Sequence, residues 1–287
     1  MFLPPVNAPD LNLAFTYKVY LRWHTHRLRL LSALAELSLA EAQEFAEPVG
    51  IKILELRADE RNLLMLVSLL PTESVSVCAS KLKGRLSKWL RMRSGLSEAE
   101  SLLGRGYFAC TSGHNTRADV VGYLDKQPAH HGYARRVLPP VFIKEWAPAP
   151  ADDERLNPAH AMAALQFHVV LAVANRHGVF GDESGPVIAE DWRILGNEEK
   201  FSLLKVSFVP DHIHVAVRTH PAVVPVNLVA RLMQSAQERM LRDFPEHLIQ
   251  AELSRLWPNG AYLGSYGDIT SKRVRGYIQR WEAGQGL

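Results

Sequence analysis

Two histidines separated by one residue, His212 and His214, stand in the run Val206-Ser207-Phe208-Val209-Pro210-Asp211-His212-Ile213-His214-Val215-Ala216-Val217. Pro210 and Asp211 mark a turn, and the apolar residues on either side read as strand. Side chains two apart on a strand share a face, so both imidazoles can meet one ligand. Imidazole nitrogen binds divalent cations well, and a pair fixed on one strand is half of a pre-organised metal site. A bare His-x-His pair also arises by chance, so the rest of the chain must supply the other half. Tyr123 and Gln127 lie four apart on a predicted helix and therefore share one of its faces. His24-Thr25-His26 is a second His-x-His, but its centre is polar and it ends a predicted strand. His168 falls on an apolar strand and reads as a structural histidine.

The segment Val209-Pro210-Asp211-His212-Ile213-His214-Val215 resembles the core of the single-tyrosine HUH transposases of small bacterial insertion sequences, the TnpA-type and REP-associated enzymes. In that core U is a bulky apolar residue. Their second signature, Tyr-x-x-x-Gln on a C-terminal helix, stands here as Tyr123-Leu124-Asp125-Lys126-Gln127, before the histidines instead of after them. The resemblance implies that Tyr123 is a nucleophile and that His212, His214 and Gln127 hold Mg²⁺ or Mn²⁺. It also implies single-stranded or hairpin DNA as the partner. A free tyrosine, with a pKa of about 10, attacks poorly at neutral pH, and a cation on the phosphate oxygens withdraws charge and aligns the phosphorus. The implied product is a 5′-phosphotyrosine with a free 3′-hydroxyl, formed without ATP.

An internal repeat accounts for the inverted order. Leu102 to Gly113, continued through Thr116, Val120, Gly122 and Tyr123, aligns without a gap on Leu256 to Gly267, continued through Thr270, Val274, Gly276 and Tyr277. Arg61 to Pro71 likewise falls opposite Asp211 to Pro221. The first copy has Asn62 and Leu64 where the second has its histidines, and the second has Trp281 where the first has Gln127. Leucine cannot bind a metal, and an indole offers only a donor. Each half has lost what the other has kept. In the family, the tyrosine helix of one protomer can dock against the histidines of the other. The resemblance therefore implies a fused pseudo-dimer acting as a monomer, with one surviving composite site. Tyr277 is the rival nucleophile, on the side expected to be dead.

The 287 residues suffice for two modest domains. Apolar content of 47% and charged content of 22% describe an ordinary globular protein, and a net charge of +3 does not by itself announce a polyanion partner. Local clusters say more. Lys81, Lys83, Arg85 and Lys88 crowd one predicted helix, and Lys272, Arg273 and Arg275 adjoin the last. Such clusters read either as solvated helix faces or, beside a nuclease-like site, as phosphate contacts. Cys78 and Cys110 lack metal-ligand spacing and are expected to be buried thiols in a reducing cytoplasm. The prolines near Met1 do not suit a signal peptide, and no apolar run approaches a membrane span.

Those residues need elements to position them. Strands are expected at Phe15–Trp23, Ile51–Leu56, Leu63–Leu69 and Tyr107–Thr111, with helices at Leu37–Ala46, Glu73–Arg93 and Thr116–Gln127. The second half repeats this with strands at Leu165–Ala172, Ser202–Phe208, His212–Val217 and Tyr262–Ser265. Its helices fall near Ala189–Leu195, at Val224–Asp243 and at Thr270–Trp281. Residues 1–145 form the half that gives the tyrosine helix, 146–160 an extended proline-rich linker, and 161–287 the half that gives the histidines. The order suits an α+β sandwich of antiparallel sheets with helices on one face. The resemblance specifies two tandem ferredoxin-like (RNA-recognition-like) sheets joined as an intramolecular pseudo-dimer. The expected activity is DNA strand cleavage and transfer. A hairpin-binding protein with vestigial catalysis and a replication-initiator or relaxase-like nickase are the competing functions.

Overall fold

The computed structural model describes residues 2–97, 99–113, 115–125, 141–147 and 149–267. It is a mixed α+β structure built on one large sheet. In the first half, β1 (Asn12–Thr16), β2 (Lys18–His24), α1 (Ser32–Ala35), α2 (Leu39–Ala46), β3 (Lys52–Ala58), β4 (Asn62–Ser68), α3 (Val75–Ser94), β5 (Tyr107–Ser112) and α4 (Arg117–Asp125) follow in order. β6 (Phe142–Glu145) and α5 (Pro150–Leu156) lead into the second half. There, β7 (Ala161–Ala172), α6 (Ser184–Glu198), β8 (Phe201–Val209), β9 (His212–Thr219), α7 (Pro225–Asp243), α8 (Pro245–Gln250) and β10 (Gly260–Tyr266) complete the described chain.

The first half runs β3-β4-β2-β5 across the sheet, and the second runs β8-β9-β7-β10, the same order with the corresponding strands. Pairing within each half is antiparallel, as expected. The two joints between halves are parallel: β5 pairs β7 and β10 pairs β1. Even the irregularities recur. A bulge breaks the β3/β4 register between Ile53 and Glu55, and another breaks β8/β9 between Leu203 and Lys205. After β2, Arg27 and Leu28 take positive φ; after β7, Asn175 and Arg176 do the same.

Alternation along the strands divides the sheet into two faces. Val19, Leu21 and Trp23 of β2, Phe167, Val169 and Leu171 of β7, and Ile213, Val215 and Val217 of β9 enter one large core with α3, α6 and α7. α3 forms because Ser74 caps its first turn and a stripe of Val75, Cys78, Ala79, Leu82, Leu86 and Leu90 is buried. Gly95, in the left-handed region at φ 64°, ends it. Within this core the Trp192 indole donates to the Leu232 carbonyl at 3.0 Å. Both cysteines are buried, and burial pushes the Cys78 thiol up to about 12.

Two expectations need correction. The helix near Ala189–Leu195 extends over Ser184–Glu198. The proline-rich segment is not wholly extended: Pro150 occupies the first turn of α5, where its missing N–H leaves no hydrogen bond unmade. Arg155 then ties α5 to the second half through the carbonyls of Gly196 and Phe201, at 2.7 and 3.0 Å. Gln127, Lys272, Arg273, Arg275, Tyr277 and Trp281 lie outside the described residues.

Reciprocal contacts close the joint between halves. Thr111 Oγ1 donates to the Tyr266 carbonyl at 2.5 Å and accepts from the Gln166 amide at 2.7 Å. Ser265 Oγ donates to the Ser112 carbonyl at 2.8 Å and accepts from the Lys18 amide at 2.9 Å. Ser76 N–H donates to the Pro221 carbonyl, and Val226 N–H to the Pro71 carbonyl. Beside the clasp, a Cβ on Gly113 would lie 2.2 Å from the Ser265 carbonyl oxygen, and one on Gly267 would lie 2.2 Å from that of Thr111. Backbone cannot yield there cheaply. Gly113→Ala and Gly267→Ala should each cost about 1–3 kcal/mol in urea unfolding. Gly84→Ala, in α3 with open space around it, should be neutral or stabilising by up to about 1 kcal/mol. Equal stability of the Gly113 and Gly84 variants would show that the joint does not need this close approach.

Candidate functional site

The site begins with β9. Its odd positions Ile213, Val215 and Val217 are in the core, so His212, His214 and Ala216 point to the opposite face. That face is nevertheless covered, and His212 and His214 are only 3% and 2% exposed. Their rings lie 4.9 Å apart at 71°.

Each imidazole is held through its Nδ1. His212 Nδ1 lies 2.6 Å from Asp211 Oδ1, and the other Asp211 oxygen accepts from Arg176 Nε at 2.7 Å. Burial works to raise the Asp211 pKa, but the hydrogen bond from His212 and the positive charge of Arg176 hold it below the usual carboxylate range. His214 Nδ1 lies 3.0 Å from His168 Nε2, with the two rings stacked at 5.2 Å and 19°. Burial pushes His168 down to about 4, so it is neutral at pH 7. With neutral His168 as the acceptor of Nδ1–H from His214, the His214 tautomer would carry its lone pair on Nε2. The Asp211 carboxylate imposes the same tautomer on His212. Two Nε2 atoms on one strand face form a donor set suited to a divalent cation.

The tyrosine arrives from the other half. Thr116 and Asp119 cap α4: Thr116 N–H and Oγ1 donate to Asp119 Oδ2 at 2.7 and 2.8 Å, and Asp119 N–H donates to Thr116 Oγ1 at 3.2 Å. Val120 and Leu124, four apart, bury themselves with Leu204, Ala216 and Tyr266 of the second half. This packing brings the Tyr123 ring to 5.6 Å from His214 and 6.0 Å from His168, edge to face with both. Tyr262, 41% exposed, stands edge-on to His168 at 6.1 Å.

The sequence-derived candidates thus separate into groups. Tyr123, His212 and His214 come together. Gln127, Tyr277, Lys272, Arg273 and Arg275 lie outside the described residues. Lys81, Lys83, Arg85 and Lys88 sit on α3, in the helical layer behind the sheet face that carries the imidazoles. Lys81 is paired with Glu73 at 2.7 Å, and Lys83 donates to the Gly104 carbonyl at 2.6 Å. Burial and nearby Arg105 lower the Lys83 pKa. Arg85 and Lys88 are exposed. His24 ends β2 and Thr25 leaves the strand, so that His-x-His is not a strand pair. Among the described residues no three His, Cys, Asp or Glu side chains are grouped to hold a metal. No helix among them is long and apolar enough to cross a membrane.

Sequence reasoning missed His168 and the support given by Asp211 and Arg176. His168 pairs with Ala216, diagonal to His214, a relation set by the β7/β9 register and invisible along either strand alone.

Comparison with known proteins adds an independent finding. The family model described as "Transposase IS200 like" matches residues 14–127 and again 161–281. The chain is similar to the ISDra2 transposase TnpA of Deinococcus radiodurans, with 23% identity over 118 residues, 41% of this chain and 81% of that protein. A solved structure of a transposase candidate from Deinococcus radiodurans shares 22% identity and a TM-score of 0.33, covering 43% of this chain and 92% of the other.

The depressed His168 pKa carries a pH signature. Unfolded histidine titrates near 6.5, so above that value the neutral folded form contributes its full stability. As pH falls from about 6.5 toward 4 the unfolded state takes up the proton first, and stability is lost. The loss should reach roughly 3 kcal/mol by the lower end of that window. Urea titrations at pH 7 and pH 4.5 should show it in the wild type and a flatter profile in His168→Gln. Equal pH dependence in both proteins would contradict a half-buried, neutral His168.

Proposed function

The chain belongs to the IS200-like transposase family, and on that premise we propose that it cuts and rejoins single-stranded DNA at one composite site through Tyr123. The observation that carries this reading is the 5.6 Å approach of Tyr123, from the first half, to His214, from the second. Nothing in the packing of either half alone would place that ring there. The repeated strand order and reciprocal joint support reading the chain as a fused pseudo-dimer of two ferredoxin-like halves. In that reading the opposite site, with Asn62 and Leu64 where histidines would be, is catalytically silent.

The reaction is a transesterification. The Tyr123 phenolic oxygen forms a bond to phosphorus, the bond from phosphorus to the 3′-oxygen breaks, and the phenolic proton ends on the leaving 3′-hydroxyl. Attack by a new 3′-hydroxyl reverses these changes and releases the tyrosine, so bond energy is conserved and no nucleotide cofactor is consumed. Nε2 of His212 and His214, with the Gln127 amide oxygen, would hold Mg²⁺ or Mn²⁺. A bound divalent cation supplies charge withdrawal from the phosphate and orients it for in-line displacement. Asp211 and His168 set the tautomers and orientation of the two imidazoles, and Arg176 holds Asp211. The four-residue spacing would carry Tyr123 and Gln127 to the site on one helix face.

The test uses a labelled hairpin with a single-stranded flank and Mg²⁺ or Mn²⁺. A covalent adduct should form with the wild type and be absent with Tyr123→Phe. His214→Ala and Gln127→Ala should reduce it to background, while Tyr277→Phe should retain most of it. A wild-type adduct that survives Tyr123→Phe would overturn the assignment. Separately, His168→Ala should weaken Mn²⁺ binding by about 10- to 100-fold in calorimetry, the usual consequence of losing a group that orients a metal ligand.

A further inference from the structure

Exposure rises steadily along one row of the second half. Across β8, β9, β7 and β10 the row reads Ser207–His214–Val170–Tyr262. Directly opposed residues of antiparallel strands share a face, so all four stand on the side that carries the imidazoles. Ser207 and His214 are buried, Val170 is half-buried, and Tyr262 is 41% exposed. Beyond Tyr262, its partner on β1 is Ala14, small and exposed. Val120 and Leu124 of α4 pack with Ala216 and Tyr266, further along β9 and β10. The solvent-facing end of the row through His214 is therefore Tyr262.

Its ring is braced from the strand that carries it. Gly264 follows two residues later on the same face, and a Cβ there would lie 2.5 Å from Tyr262 Oη and 3.0 Å from Cε1 and Cζ. The ring thus leans along β10 over the bare backbone of Gly264, toward His168, which is opposed to Gly264 on β7. It meets His168 in a T-shaped contact at 6.1 Å and 71°. Partial burial raises the phenol pKa, so the side chain stays neutral at pH 7. Only β7 separates β10 from β9, so Tyr262 and His214 stand two strand spacings, about 10 Å, apart. That is about the span of one nucleotide from phosphate to base.

Phosphates are held by guanidinium and ammonium groups, whereas an unpaired base is held by a flat aromatic surface. The row from Ser207 to Tyr262 contains no lysine or arginine, and its exposed end is an aromatic ring. We propose that Tyr262 stacks on the base beside the phosphate that Tyr123 attacks and so fixes the strand next to the site. This inference rests on the reading that the chain cuts single-stranded DNA at the composite site. Every base has a π-face, so such a contact positions the strand and leaves the choice of sequence to other groups. Tyr262 would then serve the reaction twice over, by holding the substrate and by packing against the histidine that orients His214.

The experiment uses the hairpin with 5-iodouracil in place of the bases of its single-stranded flank, a photoprobe that bonds to aromatic side chains stacked on it. Irradiated with the full chain carrying Tyr123→Phe, which keeps the strand whole, it should crosslink to the peptide that contains Tyr262. Tyr262→Ala should weaken binding of the hairpin by about 5- to 150-fold, the range for losing one base–aromatic stack, and Tyr262→Phe should retain it. Mn²⁺ affinity in calorimetry should match the wild type in both variants. Crosslinks only to other peptides, together with wild-type affinity in Tyr262→Ala, would overturn the inference. So would loss of Mn²⁺ binding alongside DNA binding in Tyr262→Ala, because the ring would then act only through His168. Both outcomes leave the catalytic reading intact; absence of any wild-type adduct would refute that reading instead.

Discussion

The clasp between halves is the constraint on which the rest depends. Thr111 and Ser265 hydroxyls each accept one backbone amide and donate to one carbonyl across the joint, and both are buried. Removing such a hydroxyl strands two backbone groups, each costing about 1–3 kcal/mol when buried and unsatisfied. That exceeds the roughly 1 kcal/mol net worth of the bond itself, so the joint is specified by what it would cost to leave it unmade. The glycines beside it let the two backbones approach closely enough for those bonds to form. With the joint fixed, Val120 and Leu124 of α4 bury themselves on the opposite half. The position of Tyr123 follows from that packing.

Much of this was legible in the chain because its two periods are simple. Alternation placed His212 and His214 on one face, and the helix period placed Tyr123 among residues that could be delivered together. The ungapped repeat forecast which strands would correspond, and the structure returns the same order in both halves. Other features depend on register or on distant partners, which a linear pattern does not carry. His168 looked structural because its relation to His214 exists only across the β7/β9 pairing. The basic residues of α3 suggested a phosphate surface beside the imidazoles, yet the amphipathic stripe of that helix fixes it to the other sheet face. Proline density in 146–160 argued against helix, but a proline in the first turn is compatible with one. The parallel joints required knowing which edges meet.

The two halves show how scaffold and site vary separately. Strand order, bulge, positive-φ turn and joint hydroxyl recur, and the hydroxyls satisfy backbone groups that would otherwise be buried unpaired. The sheet face that carries the imidazoles obeys no such demand. There, histidine gives way to asparagine and leucine, and valine and serine give way to arginine, without disturbing the pairing register. On the proposed reading a single chain needs only one complete set of reacting groups, and fusion frees the second face from catalysis while the joint continues to require its strands.

The central claim is that each chain has one reacting tyrosine, donated by one half to the histidines of the other. Peptide mapping of the wild-type protein after reaction with excess hairpin DNA tests it most directly. The account predicts one covalent oligonucleotide per chain, on the peptide that contains Tyr123. DNA on Tyr277, or two oligonucleotides on one chain, would contradict it.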